Sequence, residues 1–210
     1  MGILRDDQNH ILVCGLTDGQ VLLWDIGHCV SSFSVSPRPS PFRVDVTSSP
    51  LCLHTVHLHR MGVNCLSIEH IRNDASEGLG LPSSLPSKTN VNDFLIVTGG
   101  DDESIGVILV RLLPGVSNLR DSLSITSKHF PSMSRSTIKG IAVHRGKVFV
   151  SGYDQRLDTW RISLEDDITL TLLTSTLLPV SVVESLHVAS LGNKDAVIVC
   201  GGGLYGMTHP

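Results

Sequence analysis

The chain has 210 residues, 41% of them apolar, 17% charged and 4% aromatic, with a formal net charge of −4. That length makes one ordinary domain, the apolar share excludes wholesale disorder, and the acidic balance excludes a dedicated nucleic-acid-binding domain, which carries a clear cationic excess. No apolar run approaches the roughly 18 to 20 residues that span a bilayer, and Asp6, Asp7, Gln8, Asn9 and His10 interrupt any leader-like apolar centre, so the chain is expected to be cytoplasmic, with no membrane contact.

In chain order, ILVCG at 11–15 leads through LTDG into QVLLWDI. FLIVTGG at 94–100 leads through DDES into IGVILVRL, and KVFVSG at 147–152 leads through YDQR into LDTWRI. Each is a pair of β-branched-rich strands about a tight Asp-containing turn, which is a hairpin signal. AVIVCGGG at 196–203 begins a fourth unit. Ahead of three hairpins lie further strand candidates, GVNCLSIEHI at 62–71, TIKGIAVH at 137–144 and VVESLHVASL at 182–191. Behind three lie LCLHTVHL at 51–58, SLSITSKHF at 122–130 and ITLTLLTST at 168–176, which alternate as half-exposed outer strands do. The order inner strand, hairpin, outer strand recurs, and the later spacings approach the roughly 40 to 50 residues of propeller repeats.

Two segments, 34–50 and 73–93, are rich in Ser, Pro, Gly and Asn and read as loop inserts. No stretch longer than a turn or two keeps helical spacing. The reading is therefore all-β: an incomplete propeller of about three and a half four-stranded blades. A partial blade falls over 1–58, a blade over 59–130, a blade over 131–176 and a partial terminal blade over 177–210. The five cysteines are odd in number and widely spaced with no CxxC pair, so they are expected to be reduced packing residues.

At this point the residues resemble the WD-repeat family. GLTDGQVLLWDI is similar to the end of a WD repeat, with Trp24 and Asp25 at the naming dipeptide and Asp18 in the preceding turn. YDQRLDTWRI looks like a second copy, with Ser151, Asp154 and Trp160 where the family places a Ser, Asp and Trp hydrogen-bond set. His59 in HLHRMGVNCL looks like the His opening a repeat, with Thr98 and Asp102 as its partners. Departures are Cys14 for the Ser or Thr of the first unit, Ile108 for the Trp of the second, Arg161 for the Asp of the third, and Thr137 where the third would have its His.

The succession from LTDG through HRMGVNCL and LIVTGGDDESI to DQRLDTWR further resembles the carboxy-terminal end of the large WD-repeat subunits that partner the tRNA 2′-O-methyltransferase of the anticodon loop. That resemblance implies a non-catalytic scaffold. It would position tRNA while a separate methyltransferase subunit, itself holding S-adenosylmethionine, methylates the wobble ribose; this chain would bind no cofactor. Fewer blades than a normal closed ring implies the terminal portion of a longer protein, prone to aggregate or stay partly molten alone. The alternative is a generic WD-repeat adaptor binding protein partners in signalling or trafficking.

Cys52, His54, His57, His59 and Cys65 are zinc-ligand types, but strand parity points Cys52 and His54 away from His57 and His59. Ser151, Asp154 and His144 lack a GxSxG frame, and GGDD and GGG lack a following GK[ST], so neither hydrolase nor phosphate-loop chemistry is expected. Lys128, Arg135, Lys139, Arg145, Lys147, Arg156 and Arg161 face only Asp154 and Asp158 within 128–161. Lys139, Arg145 and Lys147 form the candidate RNA-contact patch, against the plainer reading of scattered solvent-facing residues.

Overall fold

The computed structural model of the chain describes residues 1–5, 9–32, 50–71, 93–116, 118–164, 166–192 and 194–209. Apart from Pro50 and Asp93, the two expected inserts lie outside the described residues. Four antiparallel sheets follow one another along the chain. Sheet 1 is β1 (Gly2–Arg5), β2 (His10–Gly15), β3 (Gln20–Asp25) and β4 (Leu51–His57), in that order across the sheet. Sheet 2 is β5 (Val63–Ile71), β6 (Asp93–Gly100), β7 (Ile105–Leu112) and β8 (Leu123–Phe130). Sheet 3 is β9 (Ile138–His144), β10 (Lys147–Gly152), β11 (Arg156–Ser163) and β12 (Thr169–Leu177); sheet 4 has three strands, β13 (Ser185–Leu191), β14 (Lys194–Cys200) and β15 (Leu204–His209). Two short helices, α1 (Gly27–Ser32) and α2 (Leu119–Ser122), complete the described elements. The architecture is all-β and propeller-like.

The expected partial first unit is corrected to a complete four-stranded sheet. Its extra strand β1 pairs Gly2–Arg5 with Val13–His10 and buries Leu4. GILR is too short to show alternation by itself; it becomes a strand because β2 offers an edge and sheet 2 covers its apolar residue.

The three hairpin turns share one geometry. Gly19, Glu103 and Gln155 hold φ of 86°, 61° and 57°. The Asp before each accepts from the amide two residues on: Asp18 from Gln20 N at 3.2 Å, Asp102 from Ser104 N and Asp154 from Arg156 N, both at 3.3 Å. Asp suits that position because its short carboxylate closes an Asx turn. The carbonyl of each left-handed residue then receives the segment crossing to the next sheet. His59 N bonds Gly19 O at 3.1 Å, Ser134 N bonds Glu103 O at 3.2 Å and Leu178 N bonds Gln155 O at 2.7 Å. Turn chemistry thus fixes where each following sheet begins.

Apolar faces pack sheet on sheet. Ile11, Val13, Val21 and Leu23 of sheet 1 meet Phe94, Ile96, Ile108 and Val110 of sheet 2, while Leu95, Val97, Val107 and Leu109 on the other face of sheet 2 meet Ile141, Val143, Val148 and Val150 of sheet 3. Phe149 and Leu157 meet Val197 and Val199 of sheet 4. Ile96, Ile108 and Phe149 are each 0% exposed; burial of such a side chain stabilises by about 2–3 kcal/mol. The inner strands β1, β5, β9 and β13 lie side by side. Neighbouring sheets approach closely enough that a Cβ on Gly99 of β6 would meet Ile138 of β9 at 2.4 Å and one on Gly140 of β9 would meet Leu186 Cβ of β13 at 2.7 Å.

Candidate functional site

A buried polar cluster forms where the crossing segment after β4 reaches sheet 2. His59 is delivered there by the bond of its amide to the Gly19 carbonyl. Its Nδ1 lies 3.0 Å from Asp102 Oδ1 and 2.7 Å from Ser104 Oγ, and its Nε2 lies 2.8 Å from Thr98 Oγ1. Asp102 also accepts from Ser104 Oγ at 2.5 Å and from Arg60 N at 2.8 Å. The structure brings His59, Thr98 and Asp102 together, and adds Ser104, which the sequence reading did not single out. The signal for Ser104 was its place two residues after an Asx-turn Asp.

Electrostatics explains how the cluster holds. Burial lowers the His59 pKa below the usual 6.5, outweighing the pull of Asp102, so the ring is neutral. Burial raises the Asp102 carboxyl, but the donors Ser104, Arg60 N and His59 outweigh it and hold the acid at about 2. A neutral His59 donates from one ring nitrogen and accepts at the other, and the Thr98 hydroxyl beside Nε2 also donates to Gly106 O at 3.3 Å. That connectivity has the outline of a nucleophile, base and orienting acid. Thr98 and the His59 side chain are both 0% exposed, however, so no substrate reaches them and the cluster acts as a fastener.

In sheet 1, Asp18 spends its carboxylate within its own turn, on Gln20 N and on Gln20 Nε2 at 2.8 Å. Asp25 accepts from Gly27 N at 2.8 Å at the start of α1. Trp24 pairs across from Leu12 on the half-exposed face with Cys14.

The set expected in sheet 3 does not assemble. Ser151 stands opposite Leu157 and Trp160 opposite Val148, so alternation sends Ser151 to the face with Phe149 and Trp160 to the opposite one. Ser151 lies one residue too close to Asp154 compared with Thr98 and Asp102, and the place of Thr98 is taken by Val150. The crossing residue equivalent to His59 is Ser134, not Thr137, since it is Ser134 N that bonds the turn carbonyl. Ser151 Oγ, Asp154 Oδ2 and Trp160 Nε1 have no hydrogen-bond partner among the described residues. Trp160→Phe and Ser151→Ala are accordingly expected to change the unfolding free energy by less than about 1 kcal/mol each, since no bond is lost. Denaturant titration checks this, and a loss above about 2 kcal/mol would overturn the assignment.

The basic patch is also divided. Lys139 lies 3.6 Å from Asp101 and 5.3 Å from the Tyr153 ring centroid. Arg145 and Lys147, past the other end of β9, lie 3.7 and 3.3 Å from Asp195, a carboxylate 2% exposed, with His144 at 3.5 Å from the same acid. Asp195 had no local signal in sequence because its partners arrive from a different sheet. Beside it runs a groove of about 440 Å³ along β5, β9 and β13 that includes Glu69, His70, His144 and His187. Burial raises the Glu69 pKa, and its Oε1 accepts from Arg145 N at 2.6 Å.

Among the described residues, no three His, Cys, Asp or Glu side chains are grouped to hold a metal ion. Cys52 instead contacts His54 O and Thr55 Oγ1, both at 3.8 Å. All five cysteines are free, and burial pushes the Cys65 thiol up to about 12, beyond reach of thiolate chemistry near neutral pH. Among the described residues no helix is long and apolar enough to cross a membrane.

These features define an all-β, propeller-like protein whose most developed polar cluster is a structural fastener. No family model and no curated protein matches the chain. Among solved structures, the computationally designed Ika4 protein is similar with a TM-score of 0.53 at 15% identity, over 99% of this chain and 89% of that one. BBS1N, crystallised in complex with ARL6DN and soaked with mercury, is similar with a TM-score of 0.51 at 12% identity, over 100% of this chain and 53% of that one. The chain thus spans about half the length of the BBS1N chain. Likeness at these identities carries the fold alone.

Proposed function

We propose that the four sheets are blades of a partial WD-repeat β-propeller, and that the protein is a non-catalytic cytoplasmic scaffold that presents tRNA to a separate 2′-O-methyltransferase subunit for methylation of the wobble ribose. The observation carrying the repeat assignment is the bonding of His59 to Thr98 and Asp102, which ties the turn of one sheet to the segment arriving from the previous one. The RNA role rests on the resemblance of HRMGVNCL and DQRLDTWR to the tRNA-methyltransferase partner subunits. Holding nucleotide and methyl donor in reactive geometry removes an entropic barrier of up to roughly 7–11 kcal/mol, so a scaffold contributes to rate while the chemistry and S-adenosylmethionine stay on its partner.

A second reading, a protein-binding adaptor, is favoured by the engagement of Lys139 with Asp101 and of Arg145 and Lys147 with Asp195, which leaves less free cationic surface for phosphate. Deletion in cells separates the two. Loss of wobble ribose methylation, with a methyltransferase and tRNA co-purifying with the protein, is expected. Methylation that survives deletion overturns the scaffold role in favour of the adaptor. In the intact protein, Lys139→Gln with Lys147→Gln is expected to weaken tRNA binding several-fold and flatten its salt dependence; unchanged affinity and slope would remove this patch as the RNA contact.

A further inference from the structure

Tyr153 carries a ring that the fold does not require. It stands in the turn between β10 and β11, immediately before the Asx-turn residue Asp154, the place that Thr17 holds before Asp18 and Asp101 before Asp102. A hydroxyl or a carboxylate side chain serves in the other two turns, and the aromatic ring gains little from packing, since Tyr153 is 52% exposed. The backbone on either side of it is held. A Cβ on Gly152 would stand 2.4 Å from Thr137 O, Asp154 N donates to Ser136 Oγ at 3.0 Å, and Gln155 O accepts from Leu178 N at 2.7 Å. The turn thus presents a large planar group to solvent from a fixed base, and a ligand that stacks on such a group loses little affinity to ordering it.

Lys139 Nζ lies 5.3 Å from the centroid of that ring and 3.6 Å from Asp101 Oδ1. The pair with Asp101 is a surface one, its side chains 24% and 37% exposed, and such pairs contribute little. Asn64 Nδ2 donates to the same carboxylate oxygen at 2.7 Å, so Asp101 keeps a donor when Lys139 turns away. Arg145 and Lys147 differ. Their partner Asp195 has a side chain 3% exposed, and withdrawing them would leave a charge buried without its cations. Of these three cations, Lys139 is therefore the one that can exchange its carboxylate for a phosphate. We propose that Tyr153 is a stacking platform for one unpaired nucleobase of an RNA strand, the base lying on the ring face away from Lys139 and the adjoining phosphate drawing Lys139 from Asp101. Every base offers a flat apolar face that suits an aromatic ring, and one cation beside the ring holds the backbone. With Asp101 and Asp154 as neighbours the place has no cationic excess, so stacking dominates the contact over attraction of phosphates. The inference rests on the tRNA-scaffold reading and narrows its contact from three cations to one ring and one cation.

The test is binding of the intact protein to an unmodified tRNA transcript, read by fluorescence anisotropy across a series of salt concentrations. Tyr153→Ala is expected to weaken binding roughly 5- to 100-fold with the salt slope unchanged, while Tyr153→Phe and Tyr153→Trp, which keep a ring, stay within about 2-fold. Lys139→Gln is expected to reduce the salt slope by about one, the mark of a single phosphate contact. Photo-crosslinking of a 4-thiouridine-substituted transcript to the unmodified sequence supplies a readout that needs no variant, with the link expected on the tryptic segment 148–156 that carries Tyr153. Binding indifferent to Tyr153→Ala, or weakened equally by Tyr153→Phe, would overturn the platform and leave the scaffold role standing. A co-purifying protein released by Tyr153→Ala while tRNA stays bound would overturn it in favour of a protein contact. No tRNA binding by the unmodified protein would overturn the scaffold reading itself, and the platform with it.

Discussion

His59→Ala is expected to lower the unfolding free energy by about 2–3 kcal/mol, the range for removing a buried neutral side chain and its hydrogen bonds. The ring is the common partner of Asp102, Ser104 and Thr98. Its loss removes one donor from a carboxylate whose side chain is 7% exposed, leaving it to Ser104 and Arg60 N, and leaves the Thr98 hydroxyl with the Gly106 carbonyl at 3.3 Å. Water can rescue such groups only where the vacated space is polar and roomy. A denaturant midpoint shifted by less than the equivalent of about 1 kcal/mol would show that the fastener contributes little to holding the sheets together.

The same cluster sets the acid limit of the fold. His59 is held below 6.5, so as pH falls through and below 6.5 the unfolded chain takes up a proton that the folded one resists, and stability falls with it. Asp102 is held at about 2 against 3.8, so its contribution is complete above 3.8 and lost as pH falls from 3.8 towards 2. Both slopes have one sign: stability rises with pH across these windows. His59→Ala is expected to flatten the upper slope, measured as unfolding midpoint between pH 7 and pH 5, and an unchanged slope would locate the sensitive group elsewhere.

Gly19→Ala is expected to cost about 3–4 kcal/mol although it adds one methyl group. Gly19 has φ of 86°, where an L side chain is strained by about 1–2 kcal/mol. A Cβ there would also stand 2.1 Å from the His59 carbonyl oxygen and 2.9 Å from that of Met61. Backbone cannot rotate aside as a flexible side chain does, so the crossing segment must withdraw, weakening the Leu58 and His59 amide bonds to the Gly19 carbonyl at 3.3 and 3.1 Å. Each such bond contributes about 1 kcal/mol. Glu103 and Gln155 tolerate a side chain at the corresponding turn positions, with φ of 61° and 57°. The cost at Gly19 is therefore assigned mainly to the approach of segment 59–61. Gly19→Ala within about 1 kcal/mol of the unmodified protein would contradict that contact.

Most of the strands were legible because each carries its signal locally. The β-branched runs of β6, β7 and β10 and the Asp-bearing turns between hairpin strands give period and punctuation without reference to the rest of the chain. The His59, Thr98 and Asp102 grouping was legible only through the resemblance of HLHRMGVNCL to the opening of a WD repeat, since His59 stands 39 and 43 residues from its partners. Ser151 shows the limit of that logic. A shift of a single residue relative to Asp154 moves a side chain to the opposite face of a strand, and a motif matched by residue type does not register the shift.

The amino-acid sequence by itself determined that this protein is built from repeated antiparallel hairpins with Asp-centred turns, since hydrogen-bonding period and turn conformation are properties of a few consecutive residues. Only the tertiary structure decided that Gly2–Arg5 is a strand and that Arg145 and Lys147 are held by Asp195. Each of those depends on groups brought together from separate sheets, and the energy of such a contact is set by burial and distance, which no local stretch of sequence contains.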